Sequence, residues 1–172
     1  MTALHTLVGH SCLGLAGAAG VKHAPMLLGT PEIRRLVPHQ GEMCLIAAVE
    51  TWDERAIVCI ATSHRSPANP LRRNGRLAGL HAFEYGAQAA AVHGGLLAGR
   101  RGERPALAYL GAIRDGVLQV ERLDRIADDL RVTAELVMGD AGSAVYQCRI
   151  DAGSTLLAQA RLMLVFTART PA

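Results

Sequence analysis

The sequence predicts an α+β fold in which one long helix is wrapped by a curved antiparallel sheet. Three observations lead there. The stretch from about Leu77 to Ala98 is rich in Ala and Leu, long enough for a helix, and apolar on nearly every side. The last third alternates apolar and polar residues with a period of two, the signature of strands with one buried face. No second long helical segment is present to cover the first, so the sheet must curve around it.

Taken in order, the first 28 residues stand apart. The run LVGHSCLGLAGAAG is weakly apolar, is broken by His10 and several glycines, and has no Lys or Arg before it. It matches neither a secretory leader nor a membrane span, and reads as a loosely ordered extension to a single domain over residues 29–172. The segment Pro31–Leu36 suits a short helix, with Thr30 as its cap and Pro31 at its first position; Pro38 stops it. Cys44–Val49 and Arg55–Ile60 are apolar runs separated by the polar Thr51–Glu54, which predicts a β-hairpin. The basic, proline-containing stretch SHRSPANPLRRNGR (63–76) reads as irregular. After the helix, Arg100–Pro105 ends it and Ala106–Leu110 opens the strands. In Leu130–Met138, Ala144–Ile150 and Leu156–Phe166 the apolar residues fall on alternate positions, and Gly139–Gly142 and Asp151–Gly153 are the turns between them.

Composition narrows the function. The net charge of +3 is too small to demand nucleic acid, and no basic patch is interleaved with aromatics. Cys12, Cys44, Cys59 and Cys148 are widely spaced with no Cys-x-x-Cys pair, which argues against a zinc site or disulfide framework and for reduced thiols in a cytoplasmic protein. His5, His10, His23 and His93 lack metal-ligand spacing.

The chemistry-bearing feature is GLHAFEYGAQAAAVHGG, residues 79–95. At helical spacing His81, Glu84 and Gln88 share one face. A carboxyl in such poorly solvated surroundings is one way to hold a proton donor near neutral pH. A buried Glu paired with Gln88 or an arginine for structural reasons is the other reading, and spacing alone leaves both open.

The pattern Gly79-x-x-x-x-Glu84-x-x-Ala87-Gln88, with the upstream Leu36-Val37-Pro38-His39-Gln40-Gly41, resembles hotdog-fold 3-hydroxyacyl-[acyl-carrier-protein] dehydratases. More narrowly, Phe83-Glu84-Tyr85-Gly86-Ala87-Gln88 is similar to the Glu-Tyr-Met-Ala-Gln variant of dehydratase-like proteins from aryl-polyene and xanthomonadin-type pigment clusters. The resemblance spans roughly residues 31 to 167. It implies that Glu84 is catalytic and reaches across a homodimer interface, that the Gly79 N–H polarises the thioester carbonyl, that Gln88 orients the glutamate, and that no cofactor or metal is needed. It also implies an acyl carrier protein as partner. Where the better-known dehydratases carry a histidine in a Gly-His-Phe-Pro turn, this chain has Asn69-Pro70. Asn69 can hydrogen-bond a hydroxyl or water but is no base. His39 is the first choice to replace it, with His64 and His81 as the others. Arg72, Arg73 and Arg76, in the loop before the helix, suit an acidic carrier, though an arginine cluster is as often a solvated surface. Hydrolysis of an acyl thioester, or non-catalytic acyl binding as a partner subunit, are the alternative functions.

Overall fold

The computed structural model describes residues 27–167; Cys12 and the segment expected to be a loose extension lie outside them, apart from Leu27 and Leu28. Seven strands form one antiparallel sheet. They are β1 (Leu28–Gly29), β2 (Ala48–Trp52), β3 (Ala56–Ala61), β4 (Leu107–Leu118), β5 (Leu130–Gly139), β6 (Ser143–Ala152) and β7 (Thr155–Thr167), in the spatial order β1-β2-β3-β5-β6-β7-β4. The helices are α1 (Thr30–Leu36) and the long α2 (Ala82–Arg100).

The period-two pattern does what it predicts. The inward residues Val132 and Ala134 of β5, Cys148 and Ile150 of β6, and Ala160 and Leu162 of β7 are fully buried. They face α2, whose Tyr85, Ala89, Ala90 and Val92 are equally buried. Small residues let helix and sheet approach closely: a Cβ on Gly86 would lie 3.1 Å from both Cys148 Cβ and Leu162 Cδ1. The hairpin turns stand at 140–142 and 153–154, where Asp140 N–H donates to Ser143 O and Gly153 adopts a φ of +55° that favours glycine. Gly102, with φ +70°, follows the last residue of α2 as its left-handed stop.

Several expectations change. Gly29, not Thr30, caps α1: its N–H donates to Glu32 Oε2, while the Thr30 hydroxyl donates to Ala47 O. That moves Pro31 to the second helical position, where a missing N–H still costs nothing. The strand expected from Cys44 begins only at Ala48, because residues 43–45 spend their backbone groups on a side chain of α2 instead. Helix α2 begins at Ala82, after a 3-10 turn over Gly79–His81. Strand β4 runs on to Leu118, well past the expected Leu110, with register shifts at 110/112 and 114/117.

Among the described residues this strand is an edge, with β7 on one side and no strand on the other. Tyr109, Ile113, Val117 and Leu118 on it are exposed. No helix of the described residues is long and apolar enough to cross a membrane.

Candidate active site

Glu84 lies in the first turn of α2, and the chain leaving α1 passes over it. Pro38 ends α1's path and sends His39 to the start of the helix. There His39 Nε2 lies 3.5 Å from Glu84 Oε1, and each side chain is 26% exposed, enough to meet a ligand. Both residues belong to the same chain. His39 Nδ1 is buried and has no hydrogen-bond partner among the described residues.

Gln88, one turn along, is buried and makes three bonds. Its Nε2 donates to Glu84 Oε1 at 3.0 Å and to Met43 O at 2.9 Å, and its Oε1 accepts from Leu45 N–H at 2.9 Å. Leu45 N–H can only donate and Met43 O can only accept. The amide therefore has one possible orientation, with its N–H toward the glutamate.

The other expected site residues are placed differently. The Gly79 N–H, expected to polarise a thioester carbonyl, donates to Glu121 O at 2.7 Å. Gly79 is required for another reason: a Cβ there would lie 1.8 Å from Val120 O. Asn69, expected to meet a hydroxyl or water, is buried, with Nδ2 donating to Ser63 O and Tyr85 OH and Oδ1 accepting from Leu71 N–H. Arg72, expected to dock a carrier, turns inward. It donates to the carbonyls of Ser66, Gly75, His64 and Arg65 and sits 3.9 Å from Asp124 Oδ2. A guanidinium with five fixed donors is suited to tying an irregular loop together. Arg73 and Arg76 remain exposed. His81 is half-buried just before α2, and its side chain makes no capping bond.

His64, an alternative base, is fully buried, its Nε2 bonded to Ile126 O at 3.2 Å; burial holds its pKa below the usual histidine range. His93 is fully buried too. Its Nε2 donates to Asp53 O and its Nδ1 accepts from Tyr146 OH, and desolvation pushes its pKa down. Its partners fix the tautomer and give it a structural role, joining α2 to β6 and to the β2–β3 turn.

Farther along α2 the small residues Ala91, Gly94, Gly95 and Ala98 line a cavity of about 260 Å³ with Ala106 and Phe166. A larger one of about 430 Å³, lined by Leu97, Leu136 and Tyr146, adjoins it at Gly94 and Phe166. The nearer cavity starts about 10 Å from Glu84 along the helix axis. The polar pair and these two cavities thus lie toward opposite ends of the same helix.

A family model described as ApeP dehydratase, of the ApeP-like family, matches residues 31–171. The chain belongs to the ApeP-like dehydratase family. The ApeI:P dehydratase heterocomplex from Xenorhabdus doucetiae contains a chain 25% identical to this one, with a TM-score of 0.72, covering 80% of this chain and 91% of that one. AziG from S. sahachiroi is similar at 17% identity and a TM-score of 0.50, over 69% of this chain and 88% of that one. A thioesterase from Staphylococcus aureus is similar at 12% identity and a TM-score of 0.50, over 70% and 92%. None of the curated proteins matches. These likenesses establish the hotdog fold for this ApeP-like chain.

The structure brings Glu84, Gln88 and His39 together, three residues singled out from the sequence, and adds Ser63 and the Tyr85 hydroxyl, which the sequence reading did not name. Tyr85 OH sits 2.9 Å from Ser63 Oγ, which donates to Leu45 O at 2.9 Å. A tyrosine inside an apolar helix was the available signal, because a buried phenol needs a partner.

Proposed function

We propose that this chain dehydrates a 3-hydroxyacyl thioester carried on the phosphopantetheine arm of an acyl carrier protein, in fatty-acid-like or polyene synthesis. The observation that carries the reading is the Glu84–His39 pair, 3.5 Å apart and partly open at the start of α2. His39 Nε2 takes a proton from the carbon next to the thioester carbonyl. The electron pair left behind forms the double bond to the β-carbon. The β-hydroxyl departs as water with a proton from Glu84. His39 then returns its proton to the neighbouring Glu84, which restores the pair. The products are the trans-2-enoyl thioester and water, so the balance needs no oxidant or cofactor. Gln88, through its N–H on Oε1, keeps the carboxyl turned toward His39.

The cavities beyond Ala91, walled by small residues of α2 with Arg101, Glu103 and Asp140 also in their lining, are the candidate space for the acyl chain. The exposed apolar edge of β4 supports a second subunit beside this one, and a similar chain is part of a dehydratase heterocomplex; a copy of this chain is the simplest such subunit. Exposed Arg73 and Arg76 are the remaining candidates for meeting an acidic carrier.

The test is product analysis on a 3-hydroxyacyl pantetheine thioester. Enoyl thioester formed by the purified protein, lost in His39→Ala and kept in a folded His64→Gln, is the expected result. Release of free thiol would mean hydrolysis instead. Full activity of His39→Ala would remove the histidine from the mechanism.

A further inference from the structure

Tyr85 is fully buried on the far side of the turn that carries Glu84, yet its hydroxyl belongs to a chain of hydrogen bonds that ends at Glu84. The direction of every bond is forced. Leu45 O can only accept, so the Ser63 hydroxyl donates to it. The single Ser63 proton being spent, Ser63 Oγ accepts from Tyr85 OH. The phenol proton being spent in turn, Tyr85 OH accepts from Asn69 Nδ2. The same Leu45 offers its N–H to Gln88 Oε1, and Gln88 gives its two N–H groups to Met43 O and Glu84 Oε1.

Leu45 is therefore held on both sides, by Ser63 at its carbonyl and by Gln88 at its amide. Its segment follows His39 by six residues and has no strand partner until Ala47 bonds Ile60. Ser63 joins this strandless stretch to the loop and, through the Tyr85 hydroxyl, to α2; without it, Gln88 supplies the hydrogen bonds from α2 to the stretch among the described residues, beside the apolar burial of Leu45 and Ile46. A shift of Leu45 N–H removes one of the two backbone bonds that fix the Gln88 amide and leaves Met43 O alone to hold its N–H toward the glutamate; an amide turned over would set its oxygen against the carboxyl. The loop that lacks the family's usual histidine thus supplies a strut: Asn69 and Ser63 on the loop grip Tyr85, and Ser63 grips Leu45.

We propose that Tyr85 and Ser63 are positioning residues for the Glu84–His39 pair, acting through Leu45 and Gln88. The inference rests on the catalytic reading of that pair, and the experiment separates the two.

Tyr85→Phe removes one oxygen and leaves the ring in place. Turnover of a 3-hydroxyacyl-carrier thioester should fall roughly tenfold in kcat with KM little changed, about 1.4 kcal/mol in the transition state, and the pH profile of kcat should shift. The decisive measurement is the double variant Tyr85→Phe/Gln88→Ala. If Tyr85 acts through Gln88, it is no slower than Gln88→Ala alone; independent contributions would multiply. Ser63→Ala should copy Tyr85→Phe, and Ser63→Thr, which keeps a hydroxyl, should recover most of the rate. The serine pair decides the matter should Tyr85→Phe fail to fold. Multiplicative losses, an unchanged kcat and pH profile in Tyr85→Phe, or equal rates for Ser63→Ala and Ser63→Thr would each overturn the proposal. Glu84→Gln, run alongside, isolates the underlying reading. If it keeps full turnover, the pair itself is not catalytic. If it is inactive while the positioning variants behave as wild type, only the strut is wrong.

Discussion

Arg72 and Arg73 are neighbours with opposite situations. Arg72 is mostly buried and supplies donors to four loop carbonyls, whereas Arg73 is exposed and bonds only its local backbone. Replacing Arg72 with Ala would take the guanidinium from the part-buried carbonyls of Ser66 and His64 and one charge from beside Asp124, whose carboxyl stays held well below the usual range, chiefly by Arg122. We expect a loss of about 2 kcal/mol or more, read as a lower urea midpoint, and near-wild-type stability for Arg73→Ala. Equal midpoints for the two variants would contradict the assignment. The pair shows what the sequence conveys at this scale. Glu84 and Gln88 were legible because helical spacing places them on one face whatever surrounds them. Arg72 and Asn69 were not, because whether a loop side chain turns inward depends on carbonyls that no periodicity marks. Gly79 was legible as special but for another reason: its missing side chain admits Val120 O, and its N–H is taken by Glu121 O.

Helix α2 is fixed to the sheet by apolar burial and by buried polar joints, chief among them His93 between Tyr146 and Asp53. Trp52 packs edge-on against the His93 ring, and Arg100 lies 4.2 Å over Trp52. Burial depresses the pKa of His93, and of His64, in the folded state. The unfolded chain, with a histidine pKa of about 6.5, then binds more protons than the native state in the window just below it. Their stabilising contribution is complete above that pH and is lost as pH falls through the depressed native values. Urea midpoints should therefore decline as pH drops below about 6.5, and less steeply in His93→Gln. A midpoint flat through that window would contradict it. Strand and helix types were readable from period and composition, but the ends were not. β2 starts late because Gln88 takes the backbone of Met43 and Leu45, a tertiary choice invisible to local pattern. β4 runs long because its apolar residues continue past the expected end without the clean alternation of a half-buried strand.

The curved sheet around one helix was legible because an all-round apolar helix leaves no other cover; the exposed edge at β4 follows from the strand order, which the sequence does not display. With Tyr109, Ile113, Val117 and Leu118 along it, that edge is an invitation to pair. Light scattering should show at least a dimer at micromolar concentration, and Ile113→Lys with Val117→Lys should shift it to monomer; a stable wild-type monomer would argue against a second subunit. Carrier recognition also acts at this scale. Arg73→Glu with Arg76→Glu should raise the apparent KM for carrier-bound substrate several-fold, with the difference shrinking in high salt, and leave a pantetheine thioester unaffected. Equal effects on both substrates would remove these arginines from docking. The account as a whole rests on Glu84 completing a dehydration. Its most direct test is the intact mass of a 3-hydroxyacyl-carrier thioester after incubation with wild-type protein and with a folded Glu84→Gln variant. The account predicts loss of one water from the carrier-bound acyl group with the wild type and an unchanged mass with the variant. Water loss that persists at the wild-type rate in Glu84→Gln, or a wild-type product that is bare carrier thiol, would contradict it.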